Sequence, residues 1–179
     1  MREELIVAGF GGQGVMFTGT LLAQAAMLEG KFVTFFPAYG AEVRGGTANA
    51  SVIISDEEIG SPLVSAPDTL IILNQPSLDR FHRKLKKEGQ LVVNSTLVQP
   101  EALKNIVQGV SQVPASEIAE QLGNIRVANM VALGTYLKIK PVVKLSSVNE
   151  ALATLLTGKK AGLQEINKKA IKAGYEFSK

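Results

Sequence analysis

The sequence predicts an α/β fold: a three-layer, Rossmann-like, mostly parallel sheet with helices on both faces. Three observations carry this. Short β-branched or apolar runs alternate with longer helix-patterned stretches. The first apolar run, Leu5 to Gly9, passes through the turn Gly9-Phe10-Gly11-Gly12-Gln13-Gly14 into an apolar stretch ending at Leu28, the outline of strand, tight turn and helix. And 179 residues, 46% hydrophobic and 20% charged, suit one globular domain, 1–179, with a sizeable core.

Taken in order, the helix Gln13 to Leu28 is apolar nearly all round, interrupted only by Thr18, Thr20 and Gln24. Such a helix is buried on most faces, by a partner subunit or inside its own fold. Phe32 to Phe36 reads as the second strand, stopped at Pro37. Ala48 to Ser55 is a β-branched third strand. It follows a loop rather than a helix, so an antiparallel or irregular connection is expected there. Thr69 to Leu73 is a buried strand, and Ser77 to Lys87 a helix whose outer face is Arg80, Arg83, Lys84, Lys86 and Lys87. Gln90 to Asn94 forms the next strand, Pro100 to Ile106 a short helix opened by proline, and Gly109 to Val113 a further strand. Helices follow at Ser116 to Leu122, at Asn129 to Leu137 (where Gly134 suggests close packing on a neighbour), at Ser146 to Leu156 with Ser146 as a cap, and at Gly162 to Phe177. No repeat, low-complexity linker or domain break interrupts the chain.

Composition narrows the chemistry. There are no cysteines, which removes disulfides, thiolate metal sites, cysteine nucleophiles and any iron–sulphur cluster held by this chain. The one histidine, His82, sits among Arg80, Arg83 and Lys84 and is expected to be a solvent-facing or packed side chain. No Ser/His/Asp set or Gly-x-Ser-x-Gly elbow can be drawn. Nor does any carboxylate and histidine cluster have metal spacing. The Arg2-Glu3-Glu4 opening is unlike a secretory signal, and no apolar run would cross a bilayer, so a cytoplasmic protein away from the membrane is expected. Residues 1–137 hold 10 Lys/Arg against 13 Asp/Glu, net −3, and residues 138–179 hold 9 Lys against 3 Glu, net +6. The basic end has no arginine and few aromatics, so a solvated helix face is expected there rather than a nucleic-acid site.

Gly9-x-Gly11-x-x-Gly14 fits the dinucleotide fingerprint in its strand-to-helix context. The helix opening offers unpartnered amides and partial positive charge to an anion. The acid expected after the second strand is missing, however, since Glu29 and Glu42 are off position. As a Walker A half-match, the loop has Val15-Met16 where Lys and Ser or Thr are required. Neither a dehydrogenase nor a P-loop NTPase is supported, and a fold-making turn with no ligand stands beside an anion site. The second dense loop, Tyr39 to Asn49, follows the second strand and is expected close to the first turn. Arg44 offers a donor fork, Gly45 and Gly46 bare amides, and Thr47 and Asn49 side-chain donors. Alternatively, Glu42 and Arg44 pair to shape the loop or a subunit interface.

Together, the turn Gly9 to Gly14 and the run Tyr39-Gly40-Ala41-Glu42-Val43-Arg44-Gly45-Gly46-Thr47-Ala48-Asn49, followed by Ser51-Val52-Ile53-Ile54-Ser55, resemble the gamma subunit of 2-oxoacid:ferredoxin oxidoreductases over nearly the whole chain. The second motif is the specific one. Its form is more like the 2-oxoglutarate and branched-chain members than the pyruvate type, and the beta subunit of indolepyruvate oxidoreductase is also similar. The resemblance implies a complex that oxidatively decarboxylates a 2-oxoacid, 2-oxoglutarate first among the candidates, reduces ferredoxin and makes an acyl-CoA. Thiamine diphosphate, magnesium and iron–sulphur clusters are then expected in sibling subunits. This chain is expected to be non-redox, not catalytic alone, and to help hold coenzyme A, with a purely structural scaffold as the alternative. By match to the motif, Gly11, Gly12, Gln13 and Gly14 would contact phosphate. Tyr39, Glu42, Arg44, Gly45, Gly46, Thr47 and Asn49 would form the facing loop and a subunit contact. The implied partners are alpha and beta subunits, with a ferredoxin-like delta subunit a further candidate, and ferredoxin through the complex. No nucleic acid or membrane partner is implied, and the isolated chain would expose an apolar interface open to self-association.

Overall fold

The computed structural model describes residues 1–40, 46–104, 106 and 109–177. Its strands are β1 (Arg2–Phe10), β2 (Phe32–Tyr39), β3 (Thr47–Ser55), β4 (Thr69–Ile72), β5 (Gln90–Asn94) and β6 (Gly109–Val113). Its α-helices are α1 (Val15–Leu28), α2 (Gln75–Phe81), α3 (Pro100–Leu103), α4 (Ala115–Gln121), α5 (Ala128–Ile139), α6 (Leu145–Leu155) and α7 (Gln164–Glu176). Short 3₁₀ turns occupy His82–Lys84, Ile125–Val127 and Gly158–Leu163.

The six strands form one sheet in the order β2-β3-β1-β4-β5-β6. β1, β4, β5 and β6 run parallel. β3 lies antiparallel between β1 and β2, so the expected irregular connection is a hairpin of two edge-side strands. β2 continues through Pro37 to Tyr39 instead of stopping at Pro37. An edge strand tolerates proline because one side of its backbone has no ladder to lose.

The pleat sends alternate residues to opposite faces. Leu5 and Val7 of β1, Ala50, Val52 and Ile54 of β3, and Val33 and Phe35 of β2 face α1 and α5. Ile6 and Ala8 of β1, Leu70 and Ile72 of β4, and Leu91 and Val93 of β5 face a smaller cluster closed by Leu78, Phe81, Leu85 and Leu103. Helices therefore cover both faces, but unequally. On the first face α1 and α5 lie on the sheet, and α6 and α7 pack outside them. That second helix layer explains the all-round apolar character of α1, which α6 covers from within the chain; only its end, Met27 and Leu28, is exposed. On the second face the described helices cover β2 and β3 only sparsely, α2 reaching β3 through Arg80 and Thr47, and Phe32 and Phe36 are exposed.

Two long-range features hold the outer layers. Gly134 of α5 and Gly174 of α7 meet where the helices cross. A Cβ on Gly134 would collide with the carbonyl of Ile171, and one on Gly174 with the carbonyl of Val131. Thr135 donates to the Gly174 carbonyl at 3.1 Å across the same crossing. At the amino end of the sheet, buried Glu3 accepts from Thr69 Oγ1 at 2.6 Å, from Tyr136 at 3.4 Å and from Lys140 Nζ at 2.7 Å. Burial first, and then the Glu3 carboxylate, holds the Tyr136 hydroxyl well above the ordinary phenol range.

Most helix boundaries differ from the sequence reading by one or two residues. The larger differences have local causes. The helix expected from Ser77 to Lys87 stops at Phe81 and tightens to 3₁₀; its start is capped by Asn74, whose Oδ1 accepts from Ser77 N at 3.0 Å. Ser146 lies inside α6 and caps nothing; Lys144 holds the cap position without a side-chain bond. Among the described residues, no helix is long and apolar enough to cross a membrane.

Candidate functional site

The glycine turn sits at the carboxyl end of β1 in the middle of the sheet. Gly14 has φ 74°, the left-handed conformation that a Cβ disfavours. A Cβ there would also strike the Asn129 carboxamide. Asn129, from the start of α5, donates through Nδ2 to the Gly14 carbonyl at 3.1 Å and to Thr18 Oγ1 at 3.0 Å. With Gly14 held this way, α1 opens without a side-chain cap. The amides of Gly12, Gly14, Val15 and Met16 have no acceptor among the described residues. Gly11 and Gly12 are exposed. Free amides at the opening of a helix are a favourable setting for an anion.

Gln13 stabilises the turn from within. Its Oε1 accepts from Phe10 N at 2.7 Å and from Asn74 Nδ2 at 2.8 Å, while Nε2 reaches the Leu73 carbonyl at 3.4 Å. The side chain thus ties the ends of β1 and β4 together. Gln13→Leu removes one acceptor from two donors, and leaving such groups unmade costs about 1–3 kcal/mol each. We expect thermal unfolding to shift down by several degrees; an unchanged midpoint would show that the bonds contribute nothing.

The second loop meets the first through the backbone: Gly11 N–H donates to the Gly46 carbonyl at 2.9 Å, beside the Phe10–Thr47 end of the β1–β3 ladder. The expected proximity of the two loops is therefore present. Glu42, Arg44 and Gly45 lie outside the described residues. The remaining candidates split by pleat. Thr47 and Asn49 alternate with core-facing Ala48 and so face α2, whereas Tyr39 alternates towards the α1 side and is exposed.

Two arginines not anticipated as site residues lie near the two loops, Arg80 at Thr47 and Arg126 beside Gly12. Arg80 of α2 donates to Thr47 Oγ1 at 3.3 Å, which brings a guanidinium to the second face. Arg126, in the 3₁₀ turn before α5, lies on the first face in a crevice shared with Gly12, Gln13 and Asn129. The sequence signal for Arg80 was present but read as a solvated helix face, which holds for Arg83, Lys84 and Lys87. Arg126 carried no motif. His82 is structural, its Nδ1 lying 2.8 Å from the Leu78 carbonyl.

The crevice occupies about 320 Å³ beyond the carboxyl ends of β1, β4 and β5. The helix after β1 covers one face and those after β4 and β5 the other, so this is where crossovers diverge and ligands bind in open α/β sheets. Asn94 closes its floor, donating to Ser116 Oγ at 2.8 Å and accepting from Ser116 N at 3.2 Å.

The family model for pyruvate ferredoxin/flavodoxin oxidoreductase matches residues 4–177. The chain is 40% identical over 174 residues to the ketoisovalerate oxidoreductase subunit VorA of Methanothermobacter thermautotrophicus, covering 97% of this chain and 36% of that one. It thus spans about a third of the length of the curated VorA relatives. Among solved structures, the gamma subunit of a keto/oxoacid ferredoxin oxidoreductase from Geobacter sulfurreducens superposes with TM-score 0.80 at 30% identity, covering 97% of this chain and 96% of that one. The 2-oxoglutarate:ferredoxin oxidoreductase of Magnetococcus marinus, solved with 2-oxoglutarate, coenzyme A and succinyl-CoA, superposes with TM-score 0.85 at 25% identity, covering 97% of this chain and 30% of that one.

Proposed function

Because the chain belongs to the pyruvate ferredoxin/flavodoxin oxidoreductase family, we propose that it works as the gamma subunit of a 2-oxoacid:ferredoxin oxidoreductase, presenting its glycine turn to the phosphates of coenzyme A. The observation that carries the phosphate role is the set of amides at Gly12, Gly14, Val15 and Met16 that have no acceptor among the described residues. Arg126 lines the crevice with Gly12, and Arg80 bonds Thr47, the ladder partner of Phe10. A pyrophosphate suits amides and guanidinium groups, which act as charge-assisted donors. With no cysteine and a single histidine, the chain binds and positions; thiamine diphosphate, magnesium and iron–sulphur clusters belong to sibling subunits in this reading. The substrate is a 2-oxoacid, with 2-oxoglutarate preferred from the loop motif and a branched-chain 2-oxoacid next.

Partner subunits are supported by the β2 edge. Residues Phe32 to Tyr39 carry no charge. Phe32 and Phe36 are exposed, and Thr34 Oγ1 between them is buried without a partner among the described residues. Soluble chains blunt a free edge with charge or cover it. Cover by the alpha or beta subunit of a cytoplasmic complex fits this edge.

The test is titration of coenzyme A into the assembled complex and into the full chain, with Gly12→Asp as the variant. A Cβ at Gly12 meets nothing within 4 Å, but the φ of 99° strains any side chain there, so Gly12→Ala is titrated beside it as the control for backbone strain. The new carboxylate should weaken coenzyme A at least tenfold with assembly unchanged. Wild-type affinity in the assembled variant would reduce this chain to a scaffold.

A further inference from the structure

We propose that the pocket between the end of α6 and the start of α7 binds a free aliphatic α-amino acid. Its volume is about 360 Å³, within the roughly 300–1,000 Å³ of small-molecule sites. It shares Arg126 and Asn129 with the crevice described above, and its other walls come from different residues. Phe17 of α1, Leu155 of α6 and Leu163 of the last 3₁₀ turn form its apolar side, and Leu163 is 44% exposed. A hydrocarbon side chain placed there would cover apolar surface that now faces water.

Two buried carboxamides supply acceptors. Asn167, near the start of α7, is 7% exposed and Asn129 is 4% exposed. Asn167 Nδ2 donates to the Leu163 carbonyl at 2.7 Å. Asn129 Nδ2 donates to the Gly14 carbonyl and to Thr18. A carbonyl only accepts, so both amides are fixed with the nitrogen spent and the oxygen unspent. Neither Oδ1 has a donor among the described residues, where the one fully enclosed side-chain atom without a partner is Thr34 Oγ1. Both asparagine oxygens therefore have room for a donor from outside the chain. The Asn129 amide lies against Gly14, which lines the same pocket. Lys160 and Arg126 line it too, and no acid does so among the described residues. Neither cation makes an ion pair among those residues.

These three features call for three groups. Two acceptors want a group with several donor hydrogens, two cations want a carboxylate, and the apolar side wants a hydrocarbon. An aliphatic α-amino acid carries all three on one carbon. Its ammonium has three donors and no acceptor, and its carboxylate takes charge-assisted bonds from Lys160 and Arg126. A 2-oxoacid has the carboxylate and the hydrocarbon but offers only another acceptor. Both asparagine oxygens would then stay unpaired in a filled pocket, which is how a polar site rejects an analogue lacking its donor. The inference is independent of the proposed phosphate turn, because Asn129 Oδ1 is unspent whatever the turn binds.

The test is calorimetric titration of L-leucine into the full chain and into the assembled complex. Three analogues are titrated beside it: isocaproate, which lacks the ammonium, isoamylamine, which lacks the carboxylate, and the 2-oxoacid corresponding to leucine. Leucine should bind and raise the thermal midpoint as its concentration rises, and each analogue should bind at least tenfold more weakly. Lys160→Gln, at an exposed position, should weaken leucine at least fivefold and should not weaken isoamylamine. Leu163→Asp should weaken leucine at least tenfold without moving the midpoint of the ligand-free chain. Isocaproate or the 2-oxoacid bound as tightly as leucine would overturn the amino-acid assignment. Leucine bound equally by wild type, Lys160→Gln and Leu163→Asp would place it outside this pocket and overturn the site. Absence of leucine binding to chain and complex at millimolar concentration also overturns it.

Discussion

Gly174→Ala is expected to destabilise the chain by about 3 kcal/mol or more, against the usual direction for that change. In a helix interior, alanine is favoured over glycine by roughly 0.5–1 kcal/mol. Here the new Cβ would run into the Val131 carbonyl, and backbone cannot rotate away as a side chain can. α7 must back off α5, which breaks the Thr135 bond to the Gly174 carbonyl and opens a gap between them. Overpacking of a tight core costs about 1–3 kcal/mol, with larger values where backbone must move. Urea unfolding of the variant measures it. Because Gly134 meets the Ile171 carbonyl at the same crossing, Gly134→Ala combined with Gly174→Ala should cost less than the sum: once the helices have parted, the second methyl finds room. A Gly174→Ala chain as stable as wild type would mean the crossing is looser than described.

The second large effect is at the other end of the sheet. Lys140→Met should cost about 3 kcal/mol, because Glu3 stays buried without its cation, and breaking a buried pair from one side typically costs about 3–5 kcal/mol. The lower figure is appropriate here because Lys140 is 31% exposed and Glu3 keeps Thr69 and Tyr136. Adding Glu3→Gln removes the stranded charge and keeps an acceptor for Thr69 and Tyr136. The double variant should therefore recover more than half of the loss. If it is no more stable than Lys140→Met, the pair is not what holds α5 to β1 and β4 at this end.

Much of the fold was legible because pattern and topology agree. Leu5 to Gly9, Thr69 to Leu73 and Gln90 to Asn94 are short apolar runs, and all three are adjacent parallel strands. The hairpin could be anticipated from the missing helix between β2 and β3, but not the insertion of β3 beside β1. Pairing order depends on contacts far apart in sequence, and no local pattern encodes it. The all-round apolar α1 was ambiguous for the same reason: its cover, α6, comes more than a hundred residues later. At the site, the glycine turn and the nearness of Gly46 followed from strand ends. Asn129, Ser116 and Arg126 did not, since each is brought to the turn by a different late element and is of a residue type common on any surface. Gln13 was read as a ligand-facing residue; its polar atoms are engaged by Phe10, Leu73 and Asn74, a role visible only once β1 and β4 are neighbours.

The position of β1 has a consequence for how the chain is made. It is synthesised before every other strand, yet both its partners come later: residues 47–55 on one side and 69–72 on the other. A ribosome adding about 5–20 residues per second would hold this segment, Leu5 to Ala8 at its centre, without a ladder for several seconds. During that interval β2 and β3 can already close on each other as a hairpin, which needs only local chain. If that hairpin closes first, β1 joins as the last strand of a three-stranded unit. Translation speed between codons 10 and 72, rather than any single contact, would set how long that unpaired apolar strand is available to chaperones or to another nascent copy.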